Sequence, residues 1–125
     1  MPAAARFLAP LALMALIWAL SSQPDPAPDL GALQGAAAVL GHLASYAALW
    51  TLFSWAMRFR RPLVAFALTV GYGVVDEIHQ SFVPGRDATA FDVGVDAAGA
   101  ALAWALTSWA CRRLARDRVS SYDST

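Results

Sequence analysis

Four apolar runs dominate this 125-residue chain, and each is about long enough to cross the ~30 Å hydrocarbon core of a bilayer as a helix. They cover about residues 3–22, 33–57, 63–83 and 88–111. The breaks between them have turn and loop chemistry. Gln23-Pro24-Asp25-Pro26-Ala27-Pro28-Asp29 holds too many prolines for a helix, Arg58-Phe59-Arg60-Arg61-Pro62 closes the second run, and Pro84-Gly85 stops the third. The expected fold is an all-α integral membrane protein, a four-helix transmembrane bundle. It forms one domain over residues 1–118, with residues 119–125 expected to be a disordered tail.

Charged residues make up only 14% of the chain against 58% hydrophobic, too few to clothe a soluble domain of this size. The lipid bilayer is therefore the expected partner of its surface. Net charge is zero and no basic stripe interleaves with aromatics, which argues against nucleic-acid binding. The single Cys111 excludes an internal disulfide and supports neither a CxxC pair nor a cysteine zinc cluster. No cofactor is expected.

All nine cations are arginines, and they are unevenly placed. Arg6, Arg58, Arg60, Arg61, Arg112, Arg113, Arg116 and Arg118 fall on one side of the expected bundle, and Arg86 alone on the other. By the positive-inside rule both termini are expected in the cytoplasm. The first run also reads as a signal peptide, with Arg6 as its basic start and Ala19-Leu20-Ser21 as a small-x-small cleavage site. Either reading leaves the remaining helices oriented alike.

Polar residues inside such runs need a reason, because acidic groups near a span centre cost roughly 2.5–3.5 kcal/mol each on insertion scales. The third run carries Asp76, Glu77, His79 and Gln80 in its last two turns. On a helix, Tyr72, Gly73, Asp76, His79, Gln80 and Val83 share one stripe, with Glu77 about a quarter turn away. Asp92 and Asp96 share a face of the fourth run, continued by Gly99 and Ala103 as a small-xxx-small packing seam. His42 and Tyr46 share a face of the second. In the expected orientation all three sets lie in the outer half of the bundle, below Arg86.

Each group also has a plain structural reading. Asp92 fits a capping box with Thr89 as N-cap, and Arg86 fits a clamp to a neighbouring carboxylate. His42 with Tyr46 fits a packing pair, and Asp96 an interhelical hydrogen bond. Taken together, those readings make the set a network that glues helices.

The run from Tyr72 to Arg86, with its core Asp76-Glu77-Ile78-His79-Gln80-Ser81-Phe82-Val83-Pro84-Gly85-Arg86, resembles the signature of the VanZ-like family. So do Asp87-Ala88-Thr89-Ala90-Phe91-Asp92 with the later Gly99, and His42-Leu43-Ala44-Ser45-Tyr46, which is similar to the family's H-x-x-x-Y motif. Asp96 stands where the family usually has Asn, and Ala38-Val39 where an Asp-Lys pair often precedes the His. The resemblance implies a multi-pass protein of the bacterial inner membrane. Through the family's founding member, it also implies a link to glycopeptide resistance.

The leading expectation is an outward-facing site that binds or processes an anionic, lipid-linked or cell-wall component of the envelope. In it Asp76, Glu77, His79 and Asp96 form the candidate acid/base cluster, and His42, Tyr46, Gln80, Arg86 and Asp92 are the candidate binding residues. Arginine suits phosphate or carboxylate through its bidentate fork, and histidine titrates near neutrality. No serine or cysteine stands in an obvious activated setting, so the residues leave binding and catalysis both open. The alternatives are a non-enzymatic scaffold or accessory subunit and a proton or ion pathway, the latter poorly supplied by apolar inner halves. A metal site is the last, with Asp76-x-x-His79 as only half of a bundle metal motif.

Overall fold

The structure is a computed structural model that describes residues 2–24 and 32–122. The proline-rich loop expected after Gln23 lies, from Asp25 onward, outside the described residues, as do the last three residues of the tail. A 3-10 turn at Ala4–Phe7 runs into α1 (Leu8–Ser21), followed by α2 (Ala32–Ala56), α3 (Pro62–Gln80) and α4 (Ala90–Tyr122). No strand occurs among the described residues.

The punctuation is local. Pro62 starts α3, where its missing N–H costs nothing. Gly85, at φ +79°, makes the turn after α3. Thr89 caps α4, its hydroxyl accepting from the Asp92 amide at 3.3 Å and donating to the Asp92 carboxylate at 2.8 Å. The helix then continues to Tyr122 rather than loosening after Arg118. No Gly or Pro interrupts residues 112–122, and Arg, Leu and Ala are good helix formers.

Three segments are long and apolar enough to cross a membrane: Ala4–Ser21, Gly35–Ala56 and Ala90–Val119. The 19-residue α3 falls short because Asp76, Glu77, His79 and Gln80 crowd its final turns. Leu11, Leu16, Leu40, Leu68, Leu102 and Leu106 stand exposed on the outer surface, a distribution suited to lipid and foreign to a soluble monomer.

Helices α2, α3 and α4 pack mutually, the α2–α4 contact being the most extensive, while α1 lies against α2 and α3 and does not reach α4. Tyr46, Leu49, Trp50 and Phe53 of α2 fill the core against Ala65 of α3 and Ala100 and Ala103 of α4. Small side chains on α4 leave room for the large ones on α2. The close approach is set at Gly99, where a Cβ would stand 2.5 Å from the Leu43 carbonyl oxygen.

That oxygen belongs to backbone and cannot move aside. Gly99→Ala is therefore expected to destabilise the protein by about 1–3 kcal/mol. Gly71→Ala, whose Cβ meets nothing within 4 Å, should be neutral or stabilising by up to about 1 kcal/mol. Thermal unfolding of the two variants in detergent checks the pair.

Candidate functional site

The polar residues of α3 distribute to two neighbours, α1 and the start of α4. Asp76 turns inward, 2% exposed, and its Oδ2 accepts from the Ser21 hydroxyl of α1 at 2.8 Å and from Gln80 Nε2 at 3.0 Å. His79 faces α1, stacked on Trp18 with ring centroids 3.8 Å apart and with Nε2 2.9 Å from Ser22 Oγ. Ser22 spends its one hydroxyl proton on the Trp18 carbonyl at 2.7 Å, so the ring nitrogen is the donor to Ser22. Ser22 is thus held as an acceptor and is not an activated nucleophile. Glu77 faces the start of α4 and accepts the Thr89 amide.

Across the bundle, His42 Nδ1 lies 2.8 Å from Asp96 Oδ1, with Asp96 1% exposed. An ionised Asp96 can only accept, so His42 Nδ1 carries the proton of this bond. Tyr46 lies one turn below His42 with its ring parallel to within 3° and the centroids 6.3 Å apart. Gly73 permits this crowding, since a Cβ there would stand 2.8 Å from Asp96 Oδ2 and 3.2 Å from Tyr46 Cε1.

A cavity of about 220 Å³ opens between α1, α2 and α3 at this end. His42, Ser45, Tyr46, Asp76, Gln80 and Ser21 supply its polar wall, Ile17, Leu20 and Ala38 its apolar wall, and Arg86 stands at its mouth. Two buried atoms of the wall-forming residues have no hydrogen-bond partner among the described residues: Asp76 Oδ1 and the Tyr46 hydroxyl. Buried polar atoms are nearly always paired, so both mark a place where a ligand or water is needed.

Arg86 has a part the sequence did not reveal. Its Nε and Nη2 donate to the carbonyls of Gln23 and Leu20, both at 3.0 Å, closing the C-terminal end of α1. The remaining N–H groups of the fork keep its charge at the cavity rim. Of the nine residues expected at the site, His42, Tyr46, Asp76, Gln80 and Arg86 line the cavity, and Asp96 reaches it through His42. Glu77, His79 and Asp92 do not line it. They tie α3 to α4, α3 to α1, and the first turn of α4 to its cap. Sequence reasoning missed Ser21, Ser22 and Ser45. The first two look like the ordinary polar end of an apolar run, and only the register of α1 against α3 sets them opposite Asp76 and His79. No group of three or more His, Cys, Asp or Glu side chains suited to a metal ion occurs among the described residues.

Described residues that are helical, with three segments long and apolar enough to cross a bilayer, have the make-up of a membrane protein. The VanZ/LLP1 family model matches residues 6–111, nearly the whole helical body. The chain belongs to the VanZ/LLP1 family. No curated protein and no solved structure matches it.

Removing the Arg86 fork should loosen the end of α1. Arg86→Ala is expected to lower amide hydrogen-exchange protection around residues 20–24 about fivefold, roughly 1 kcal/mol for two partly exposed hydrogen bonds. Protection in the middle of α2 should be unchanged, and exchange mass spectrometry reads both regions.

Proposed function

We propose that this protein crosses the bacterial inner membrane four times with both termini in the cytoplasm. Just beneath its outer surface it binds the polar head of an envelope component, lipid-linked or from the cell wall. The observation that carries the reading is the pair of unpartnered buried atoms, Asp76 Oδ1 and the Tyr46 hydroxyl, on two residues that line one cavity. Asp76 Oδ1 accepts and the Tyr46 hydroxyl can accept or donate, which a ligand answers with hydroxyl or amino groups. Arg86 at the rim suits an anionic group on the same molecule. Sugar hydroxyls below a phosphate or carboxylate fit that order, and a headgroup of this kind is common in the envelope. The family's association with glycopeptide resistance agrees with a ligand drawn from cell-wall chemistry.

In this reading α1 is part of the mature protein, because Ser21, Ile17 and Leu20 are cavity wall. N-terminal sequencing of membrane-extracted protein should return the start of the chain and not a residue after Ser21. Cysteines placed at positions 81–85 should label from outside intact cells, and cysteines at 58–61 should not. The reverse pattern would sink the orientation.

A second reading, the scaffold, has its own support: Glu77, His79, Asp92 and part of Arg86 are satisfied inside the protein. Tyr46→Phe separates the two. It deletes a buried hydroxyl that bonds nothing in the protein, so the fold should gain up to about 1 kcal/mol of stability. A binding site should meanwhile lose co-purified envelope lipid at least fivefold, about 1 kcal/mol, in native mass spectrometry. A variant that unfolds more easily while its bound lipid is unchanged would favour the scaffold.

A further inference from the structure

At the other end of the bundle, α2 stops in an unusual turn. Arg58 and Phe59 both adopt the left-handed region, at φ 58° and 55°, although neither is glycine. Three main-chain bonds hold the turn: Phe59 N–H to the Ser54 carbonyl at 2.6 Å, Arg58 N–H to that of Trp55 at 2.9 Å, and Arg60 N–H to that of Met57 at 3.2 Å. Strain retained in a turn points to what its side chains do. Here Arg58 and Phe59 are brought beside Trp55 and across from Arg6, which arrives from the 3-10 turn before α1. The four side chains line a cavity of about 420 Å³. Neither Arg6 nor Arg58 pairs with an acidic side chain among the described residues.

We propose that this cavity binds the phosphate of an anionic membrane lipid. Two arginines from separate elements line one space, and a phosphate with several anionic oxygens can accept from both. Trp55 and Phe59 are 42% and 48% exposed beside them, at the depth where α2 ends. Aromatic side chains there rest on the glycerol and upper acyl region of a lipid. A free phosphate would engage the arginines and leave both rings idle, so the occupant with both parts is a lipid. The leaflet, inner, rests on the orientation proposed above, whereas the binding itself does not depend on it, nor on the cavity at the opposite end.

The test is native mass spectrometry of the purified full chain in detergent, titrated with phosphatidylglycerol and with phosphatidylcholine of the same acyl chains. Inorganic phosphate is added as competitor. Phosphatidylglycerol should bind at least tenfold tighter than phosphatidylcholine and resist inorganic phosphate at about 10 mM. Arg58→Gly removes the side chain while giving the backbone the residue most at ease at positive φ, so the fold should hold or improve. Together with Arg6→Gln it should weaken phosphatidylglycerol binding about tenfold or more, whereas Arg112→Gln with Arg113→Gln, on the same face but outside the cavity, should change it less than twofold. Equal losses in the two pairs would reduce the effect to diffuse charge and overturn the site. Displacement by inorganic phosphate, or no preference between lipids, would overturn the lipid assignment. Should the double variant misfold, Arg6→Gln alone, in a turn where its side chain has no partner among the described residues, should still weaken binding about threefold; unchanged binding there also refutes the site.

Discussion

Hydrocarbon offers a polar side chain nothing to bond to, so each polar group on these helices has to find a partner on its own backbone or on another helix, or leave an unpaired atom behind. That constraint explains why α1, which touches α3 along few apolar positions, is nonetheless held to it. Tyr72 donates to the Met14 carbonyl at 2.6 Å, Ser21 to Asp76, and Arg86 to the end of α1, while His79 stacks on Trp18. On the far side, the His42–Asp96 hydrogen bond joins α2 to α4 beside the close approach of Gly99 to Leu43. The polar residues thus set how the helices register. The apolar core of Trp50, Leu49 and Phe53 supplies packing with less directional information.

Against that background the unpaired atoms stand out. Asp76 places one carboxyl oxygen in a satisfied cluster and leaves the other buried without a partner, beside a tyrosine hydroxyl in the same condition. A network built only to glue helices has no use for either atom. Phenylalanine at position 46 would pack as well, and a residue with a single acceptor at 76 would serve Ser21 and Gln80. Ser54 Oγ, away from the cavity, is a third unpaired atom, and the proposed site centres on the two carried by cavity-lining residues rather than on the more conspicuous charges.

Much of this was legible in the sequence. The breaks at Arg58–Pro62 and Pro84–Gly85 are visible as turn chemistry, the Thr89–Asp92 cap as a spacing of three, and the seam at Gly99 as small residues at helical spacing. The helical stripe correctly separates Asp76 from Glu77. Less visible was which neighbour each polar face meets. His79 and Asp76 share a stripe, yet one bonds the exposed Ser22 and the other the buried Ser21, a register against α1 that periodicity within α3 does not encode. Arg86 looks from sequence like a partner for carboxylates. It bonds main-chain carbonyls instead, an acceptor class that side-chain spacing never advertises. Continuation of α4 past Arg118 also escaped notice, since polarity was read as an end where only Gly or Pro would have enforced one.

The departure of this chain from its family's usual pattern at position 96 gains a physical meaning here. An asparagine beside His42 can offer either its oxygen or its amide, and so accommodates either tautomer of the ring. An ionised aspartate accepts only, and so fixes a proton on Nδ1. Gly73 makes this possible by bringing α3 close enough that Asp96 and Tyr46 share the space where a Cβ would otherwise sit. One substituted atom in a side chain that does not itself line the cavity therefore fixes which ring nitrogen a wall residue turns toward it.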